Sequence, residues 1–286
     1  MLKHRSQGLI RRLTRLGVPT LVVTALAACG GGPDAEAAPE TDAPMNADSA
    51  TDTTALNTLT EEERAQGWRL LFDGESFTGW RGLGIDSIPS AHWTIEDGAI
   101  KKIPSGDVPV QADGQPIAGG DLMTIETFGD FELAFDWKVS EGGNSGVKYN
   151  VSEELSMAHP PKTAALGFEY QILDDERHPD ANAGVGGNRK AAGLYDLISA
   201  GDDKPLNPPG EWNHGRIVFR GNHGEHWLNG KKVLEYELGS PRMDSLLAAS
   251  KYAEIEGFAD RREGHIVLQD HNDAVWFRNI KIRTLD

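Results

Sequence analysis

The feature that most limits what this chain can fold into is a series of short apolar runs separated by turn-forming residues. From about residue 68 to the C-terminus, aromatic and β-branched runs alternate with Gly, Asn, Asp and Pro. Such runs are typical of β-strands. Roughly ten or more of them lie within about 225 residues, with few helical patterns between them. The sequence therefore predicts one all-β domain, a two-sheet β-sandwich or jelly roll with one or two short helices.

Two helices and one hairpin have more definite signals. Thr60 followed by Glu63 has the spacing of a capping box, and Ser240 before Pro241 is typical of a capped helix start. The pair Asn229-Gly230 lies between two β-runs and favours a type I′ turn, because both central positions of that turn need a positive φ. We expect a helix after Thr60, another after Ser240, and a hairpin at Asn229.

The N-terminus carries the pattern of an export signal. Residues 1–28 join a basic start to an apolar run that is too short to span a membrane. The run ends in LAAC at Cys29, which resembles a bacterial lipoprotein signal with Cys29 as the lipid attachment point. The alternative is an ordinary secretory signal followed by a chance cysteine. We expect a lipid anchor in a bacterial membrane, on the periplasmic side or the cell surface, and Gly30 favours the outer membrane.

Charge and composition divide the rest of the chain. Residues 29–58 contain no Lys or Arg and few large apolar side chains, which predicts a disordered acidic tether before a folded domain at 59–286. Residues 1–28 hold five positive charges and no acid, so their removal would change the formal net charge from −16 to −21. A surface this acidic disfavours nucleic acid as a partner.

Several β-runs alternate polar with apolar side chains, and the polar set is the candidate site. In residues 167–174, Glu169 and Gln171 alternate with core-type residues, and Gln269 and His271 do the same in a later run. Because successive strand side chains point to opposite faces, we expect these groups to share one ligand-binding groove. The alternative is a solvated outer face. The residues assigned to the groove or its rim are Asn144, Lys148, Glu169, Gln171, Asp174, Tyr195, Trp212, His226, Gln269 and His271.

Two of these assignments rest on weaker patterns. His226 alternates with Trp227 in a run whose inner face the sequence does not decide, so a structural role is as compatible as a binding one. Trp212 follows a turn signal, and an indole at a groove rim would stack on a ring of the ligand.

Six segments that follow one another in order carry a family resemblance. They read GWRLLFDGESFTGW, FELAFDWKVSEGGNSGVKY, GFEYQILDD, AAGLYDLI, GEWNHGRIVFRGNHGEHWLNG and GHIVLQDHNDAVWFRNIKI. Together they resemble the bacterial 3-keto-disaccharide hydrolase family, over nearly all of residues 59–285. The resemblance implies a concanavalin-like jelly roll and cleavage of glycosides whose sugar carries a ketone at C3.

The pattern of acids does not fit a conventional glycosidase. That mechanism needs two carboxylic groups flanking the scissile bond. In the strand that most resembles a glucanase motif, Gln171 stands at the middle position and Asp174 is out of phase with Glu169. This broken pattern disfavours double displacement.

A C3 ketone allows a different reaction. A base removes the hydrogen on C2, an enolate forms, the C1 substituent leaves by elimination, and water adds back. The candidate bases are His271 and Glu169, and the candidate groups for the enolate oxygen are Lys148, Gln171 or a bound divalent metal. Glu169, Asp174, His226 and His271 have suitable metal-ligand atoms, although no tight ligand spacing is present.

Two alternative functions remain open from the sequence. A non-catalytic carbohydrate-binding module would use the aromatic and amide groups alone. A conventional glycoside hydrolase would depend on Glu169 and would act on unoxidised sugars.

Overall fold

The computed structural model describes residues 55–104, 120–159 and 164–285. The predicted signal peptide, Cys29 and nearly all of the predicted tether lie outside these residues. Within the described part, no helix is long and apolar enough to cross a membrane.

Thirteen strands and three short α-helices make up the described chain. The strands are β1 (Arg69–Leu70), β2 (Trp80–Gly82), β3 (Trp93–Glu96), β4 (Ala99–Lys102), β5 (Leu122–Thr124), β6 (Phe131–Val139), β7 (Asn144–Val151), β8 (Phe168–Leu173), β9 (Asn213–Arg220), β10 (His223–Leu228), β11 (Lys231–Glu237), β12 (His265–Leu268) and β13 (Val275–Thr284). The helices are α1 (Glu61–Ala65), α2 (Glu153–Ala158) and α3 (Pro241–Ala249), and a 3₁₀ turn spans Pro179–Asn182.

The strands form two antiparallel sheets. The larger sheet has the order β11-β10-β9-β6-β13-β4-β3, with β1 paired to β13. The smaller sheet has the order β2-β5-β12-β7-β8. Strands that are neighbours in a sheet are often distant in sequence, as when β6 pairs with both β9 and β13. The predicted two-sheet β-sandwich is confirmed.

Aromatic side chains from both sheets meet in the core. Phe135 of the larger sheet contacts Tyr170 of the smaller sheet edge to face, with ring centroids 5.3 Å apart. Phe131 and Tyr149 make a similar contact at 6.1 Å. Each such ring removes a large apolar area from water, and the edge-to-face geometry adds about 1 kcal/mol per pair. The alternation predicted for β8 holds, because Tyr170 and its even-numbered neighbours in that strand lie in this core.

The local signals for helices and the hairpin are confirmed. The Thr60 hydroxyl accepts from the Glu63 amide, and the Glu63 carboxylate accepts from the Thr60 amide, which is a complete capping box. Helix α3 begins after Ser240, whose hydroxyl accepts from the amide of Met243. Asn229 and Gly230 both have a positive φ, of 46° and 83°, and connect β10 to β11.

Helix α2 was not predicted from the sequence. Its cap is Ser152, which accepts from the amide of Leu155. Tertiary contacts hold the helix in place, because Glu153 accepts two hydrogen bonds from the Arg81 guanidinium, at 2.5 and 2.6 Å. This pairing lowers the pKa of Glu153 to about 2. The described chain thus has three α-helices where one or two were expected.

The outer face of the smaller sheet is covered. Every residue of β7 and of β8 is buried, including the polar residues that point away from the core. Side chains on a solvated sheet face would be exposed. The polar face of these strands is therefore enclosed by loops, and the alternative of a solvated outer face is wrong.

Candidate functional site

A small pocket lies on this covered polar face. Its lining among the described residues is Asn144, Glu169, Gln171, Tyr195, Lys251, Gln269 and His271. Five of these side chains come from three neighbouring strands or their ends, and two come from loops. The pocket unites groups that are separated by up to 127 positions in the chain, as for Asn144 and His271.

Strand register brings the five sheet residues together. β7 lies between β8 and β12, with Gly146 opposite Gln171 and Lys148 opposite Glu169. The backbone N–H of Gln269 donates to the backbone carbonyl of Gly146 at 2.9 Å, which continues the pairing of β12 with β7 beyond the end of β12. Because of this register, the polar residues of β8 face those that follow β12 across β7, where Gly146 has no side chain.

A loop segment adds to the free edge of β8 and delivers Tyr195. The backbone N–H of Gln171 donates to the backbone carbonyl of Gly193 at 3.1 Å. The backbone N–H of Tyr195 donates to the backbone carbonyl of Glu169 at 3.0 Å. The loop thus acts as a short extra strand and gives otherwise unpaired β8 groups their partners. Its backbone places Tyr195 directly beside Glu169.

Lys251 enters the pocket from the connection between α3 and β12. Its amide donates to Asp196 at 2.8 Å, and its Nζ lies 4.5 Å from the centre of the Tyr195 ring. The sequence reasoning missed Lys251, because it lies in an irregular connection where no periodicity marks an inward side chain. The Tyr195 hydroxyl donates to Asp180 at 2.8 Å, and Arg189 pairs with the same carboxylate at 3.0 Å.

Glu169 is the only carboxylic acid among the described residues that line the pocket. It is 3% exposed, and Oε2 lies 3.8 Å from Nζ of Lys148. Burial raises the pKa of Glu169, and the nearby Lys148 and Lys251 offset part of that rise. A carboxylic acid with a raised pKa retains its proton at higher pH and can serve as a proton donor.

Gln269 presents a buried acceptor without a protein partner. The residue is 5% exposed, and none of the described residues donates a hydrogen bond to its Oε1. A buried amide oxygen without a donor costs free energy, of the order of 1 to 3 kcal/mol. A ligand hydroxyl donating to this atom would remove that cost.

Two other residues assigned to the groove lie close to the pocket without lining it. Lys148 is 4% exposed and donates to the carbonyl of Ala165 at 3.1 Å, so it stands behind Glu169. Asp174 accepts from the backbone amides of Gly142, Glu176 and Arg177, which makes it the organiser of the turn after β8. Burial opposes the ionised form of Asp174, but these hydrogen bonds prevail and lower its pKa. It lines a separate cavity beside Leu206 and the prolines after it.

His226 lies in the core between the sheets, which corrects its placement in the groove. It is fully buried, and its Nδ1 donates to the carbonyl of Ala192 at 3.1 Å. Its Nε2 therefore accepts from the Tyr149 hydroxyl at 2.9 Å. Burial lowers the pKa of His226 to about 4. The inner face of β10 is the one that carries His226 and Leu228.

Trp212 also lies away from the pocket, which corrects its placement at the rim. Its ring is 3.9 Å from the Arg278 guanidinium and 5.0 Å from Nζ of Lys138, both on the outer face of the larger sheet. The ring is thus occupied by cation–π contacts on the opposite side of the sandwich. The aromatic stacking proposed for a sugar at Trp212 does not belong to this pocket.

The expected metal ligands do not come together. Of Glu169, Asp174, His226 and His271, only Glu169 and His271 line the pocket. The described residues whose ligand atoms lie within 4.8 Å of one another near the pocket are His178, His271 and Asp273. Nδ1 of His178 accepts from the Asp180 amide at 3.1 Å, so the proton of neutral His178 is on Nε2. Because Nδ1 is occupied by this hydrogen bond and Nε2 of the neutral ring carries the proton, His178 fits a metal site poorly.

The fold and the pocket together define a class of protein. A buried set of amides, one acid, one imidazole and one lysine on a sheet of a β-sandwich suits a polar, hydroxyl-rich ligand. The class is that of carbohydrate-active β-sandwiches.

Comparison with known proteins identifies the family. Residues 67–283 match the 3-keto-alpha-glucoside-1,2-lyase-like domain. The 3-keto-disaccharide hydrolase of Bacteroides thetaiotaomicron is 43% identical over 241 residues, which cover 78% of this chain and 80% of that protein. The chain belongs to this family, and the resemblance found in its six sequence segments is confirmed.

Two solved structures from Parabacteroides distasonis, each described as a candidate glycosyl hydrolase, have the same architecture. One is 31% identical with a TM-score of 0.68, and covers 81% of this chain and 100% of its own. The other is 28% identical with a TM-score of 0.55, and covers 76% and 99%.

Proposed function

We propose that this chain hydrolyses the glycosidic bond of 3-keto-disaccharides, by removal of a C2 proton, elimination and hydration. Family membership and the 43% identical relative support the activity. The observation that carries the mechanism is that the described residues of the pocket include one carboxylic acid, Glu169, together with His271 and Lys251. Two carboxylic groups would be needed for direct displacement, whereas elimination needs one base, one proton donor and one group for an enolate oxygen.

The three groups have separate roles in this proposal. His271 is the base that takes the proton from C2. Lys251 binds the C3 oxygen and stabilises the negative charge that develops there. Glu169 has its pKa raised by burial and donates a proton to the departing oxygen on C1. Lys148 and Gln171, first considered for the enolate oxygen, do not reach it in this proposal, because both are engaged around Glu169.

The bonds and protons balance over the two stages. The C2–H bond breaks and its proton goes to His271, while the electron pair moves into the enolate of the C3 ketone. The C1–O bond then breaks, its electron pair leaves with the oxygen, and Glu169 supplies the proton for that oxygen. C1 and C2 are now joined by a double bond conjugated to the ketone. Water then adds its oxygen to C1 and gives one proton to the Glu169 carboxylate, while His271 gives a proton to C2. Both side chains regain their starting forms, so the net reaction is hydrolysis.

The amides of the pocket bind the sugar. Gln269 accepts from a hydroxyl through its buried Oε1, and Asn144 and Tyr195 complete the polar wall. These contacts orient the C2–H bond toward His271, and orientation of this kind lowers the barrier by several kcal/mol.

The activity is tested by incubating the purified chain with a 3-keto-disaccharide and measuring the two released sugars. The same disaccharide without the ketone is the matched control, because it has no acidic C2 hydrogen. We expect release from the keto form alone. Release from both forms would favour a conventional glycoside hydrolase, and binding without release from either would favour a carbohydrate-binding module.

A divalent cation is not needed in this proposal. The four ligands considered from the sequence do not come together, and the described trio nearest the pocket is His178, His271 and Asp273. Neutral His178 carries its proton on Nε2 and offers no lone pair there. Lys251 supplies the positive charge at the C3 oxygen instead. We expect turnover to continue in the presence of a chelator. Loss of turnover in chelator and recovery with Mn²⁺ would contradict Lys251 as the source of the positive charge at the C3 oxygen.

We also propose that the chain is exported and anchored to the membrane through a lipid on Cys29. The basic start, the apolar run and the LAAC sequence support this proposal. Fatty-acid labelling of the expressed chain and of a Cys29→Ser variant tests it. We expect label on the wild-type chain alone and membrane fractionation that is lost in the variant. A wild-type chain without label would contradict the anchor.

A further inference from the structure

The side-chain amide of Gln171 has only one orientation in which its nitrogen and oxygen both form hydrogen bonds with the neighbouring groups. One end of this amide lies 2.9 Å from Oε1 of Glu169 and 2.9 Å from the backbone carbonyl oxygen of Ser145. A backbone carbonyl can only accept a hydrogen bond. The nitrogen of Gln171 therefore occupies this end and donates to both oxygens, whether Glu169 is ionised or protonated.

The orientation of Gln171 decides that of Asn144. The other end of the Gln171 amide is its oxygen, which lies 3.3 Å from the nearer end of the Asn144 amide. An amide oxygen can only accept, so the nitrogen of Asn144 faces it. The Asn144 oxygen then lies at the opposite end, 3.4 Å from Nε2 of His271. Both contacts are long for hydrogen bonds but within range.

We infer that Gln171 and Asn144 are positioning residues that hold neutral His271 with its proton on Nε2. Because the Asn144 oxygen can only accept, Nε2 must donate to it, and the lone pair of the neutral ring is on Nδ1. Gln171 and Asn144 thus link His271 to Glu169 through a chain of hydrogen bonds. Every donor in this chain lies on the His271 side of its acceptor: His271 donates to Asn144, Asn144 to Gln171, and Gln171 to Glu169. The catalytic meaning of this chain, that Nδ1 is the basic atom, rests on the proposed function.

Burial makes this arrangement selective. Gln171 is fully buried, Asn144 is 2% exposed and His271 is 8% exposed. A reversed amide would leave facing oxygens and facing nitrogens without partners, which costs on the order of 1 to 3 kcal/mol for each buried group. A difference of that size favours one tautomer by roughly tenfold or more.

Nitrogen NMR of the full chain tests the inference without any substrate. The nine histidines are labelled with ¹⁵N, and the His271 signals are identified from a His271→Gln variant. At a pH where the ring is neutral, we expect the multiple-bond spectrum to place the proton on Nε2. A proton on Nδ1, or a ring that stays doubly protonated up to pH 9, would overturn the inference.

Two variants test the chain of amides. Gln171→Met keeps a side chain of similar size but removes the amide that orients Asn144. We therefore expect a mixture of tautomers at His271, and a lower kcat at similar KM. Asn213→Asp is the matched control, because Asn213 is 2% exposed in the larger sheet and its change should leave the His271 tautomer alone. An unchanged tautomer in Gln171→Met would remove the positioning role. An unchanged wild-type tautomer with no turnover of keto-disaccharides would refute the proposed function instead.

Discussion

Gly146 faces the carboxylate of Glu169 so closely that a side-chain carbon at position 146 would lie 2.5 Å from Oε1 of Glu169. The φ angle of Gly146 is not positive, so glycine is required here by space rather than by backbone conformation. The missing side chain creates the room that the buried acid occupies between β7 and β8.

Gly146→Ala should therefore reduce activity because it moves the carboxylate of Glu169 out of its place in the pocket. The new methyl group must displace the carboxylate, and a shift of about 1 Å in a reacting group costs about 100-fold in rate. We expect kcat/KM for a 3-keto-disaccharide to fall by about that factor. The measurement is made below the thermal midpoints of both proteins. Gly129→Ala is the control, because a Cβ there meets nothing closer than 4.0 Å. Equal activity in the two variants would contradict the proposed place of Glu169.

Glu169→Gln should lose the proton donor while keeping the shape of the pocket. For a disaccharide, whose leaving oxygen needs a proton, we expect kcat to fall by about 10² to 10⁴. For a 3-keto-glycoside of nitrophenol, which leaves without a proton, the loss should be much smaller. His271→Gln should lose activity on both substrates. A Glu169→Gln variant with equal losses on both would make Glu169 the base instead of the acid.

Lys251→Met should weaken stabilisation of the enolate. The charge of Lys251 also lowers the pKa of Glu169, so without it that pKa rises further. We expect kcat to fall by about 10² to 10³, the usual loss when a charge-stabilising donor is removed. Lys232→Met on β11 of the larger sheet is the control, since Lys232 pairs there with Glu225 and Glu235. A wild-type rate in Lys251→Met would assign the enolate oxygen to another group.

Strand alternation predicted the pocket residues that lie on strands or at their ends, but it did not predict Lys251, which lies in a loop. The two-residue period of β8 places Glu169 and Gln171 opposite the core, and the later run does the same for Gln269 and His271, so these groups are found from sequence alone. Lys251 lies in an irregular connection, where its direction depends on tertiary contacts such as that of its amide with Asp196. No local pattern records such contacts.

The wrong placements have a physical cause of the same kind. Alternation divides a strand into two faces but does not say which one is inside, and His226 is on the inner face because the Tyr149 hydroxyl and the carbonyl of Ala192 satisfy both of its nitrogens. Trp212 precedes β9, and its ring is held by Arg278 and Lys138 from strands that are distant in sequence.

His226 should make folding stability depend on pH. Burial lowers its pKa from 6.5 to about 4, so the unfolded chain takes up a proton before the folded chain does. The contribution of neutral His226 to the free energy of unfolding is complete above pH 6.5 and is lost as the pH falls toward 4. It amounts to about 3 kcal/mol at most, at 1.36 kcal/mol per pKa unit.

The measurement is urea unfolding of the wild type and of His226→Phe between pH 7 and pH 4. The wild type should lose more stability over this interval than the variant, in which residue 226 cannot take up a proton. His159→Phe, at the end of α2 and outside the core, is the control. Parallel stability curves for wild type and His226→Phe would contradict the buried neutral imidazole.

Removal of the C2 proton is tested most directly by cleaving a 3-keto-disaccharide in D₂O and locating deuterium in the keto sugar at early times. The proposed elimination and hydration predict deuterium at C2 of the product, above the level found when the free keto sugar stands in D₂O with the His271→Gln variant. Release of both sugars with hydrogen fully retained at C2 would mean direct displacement at C1, and would contradict the mechanism proposed for this pocket.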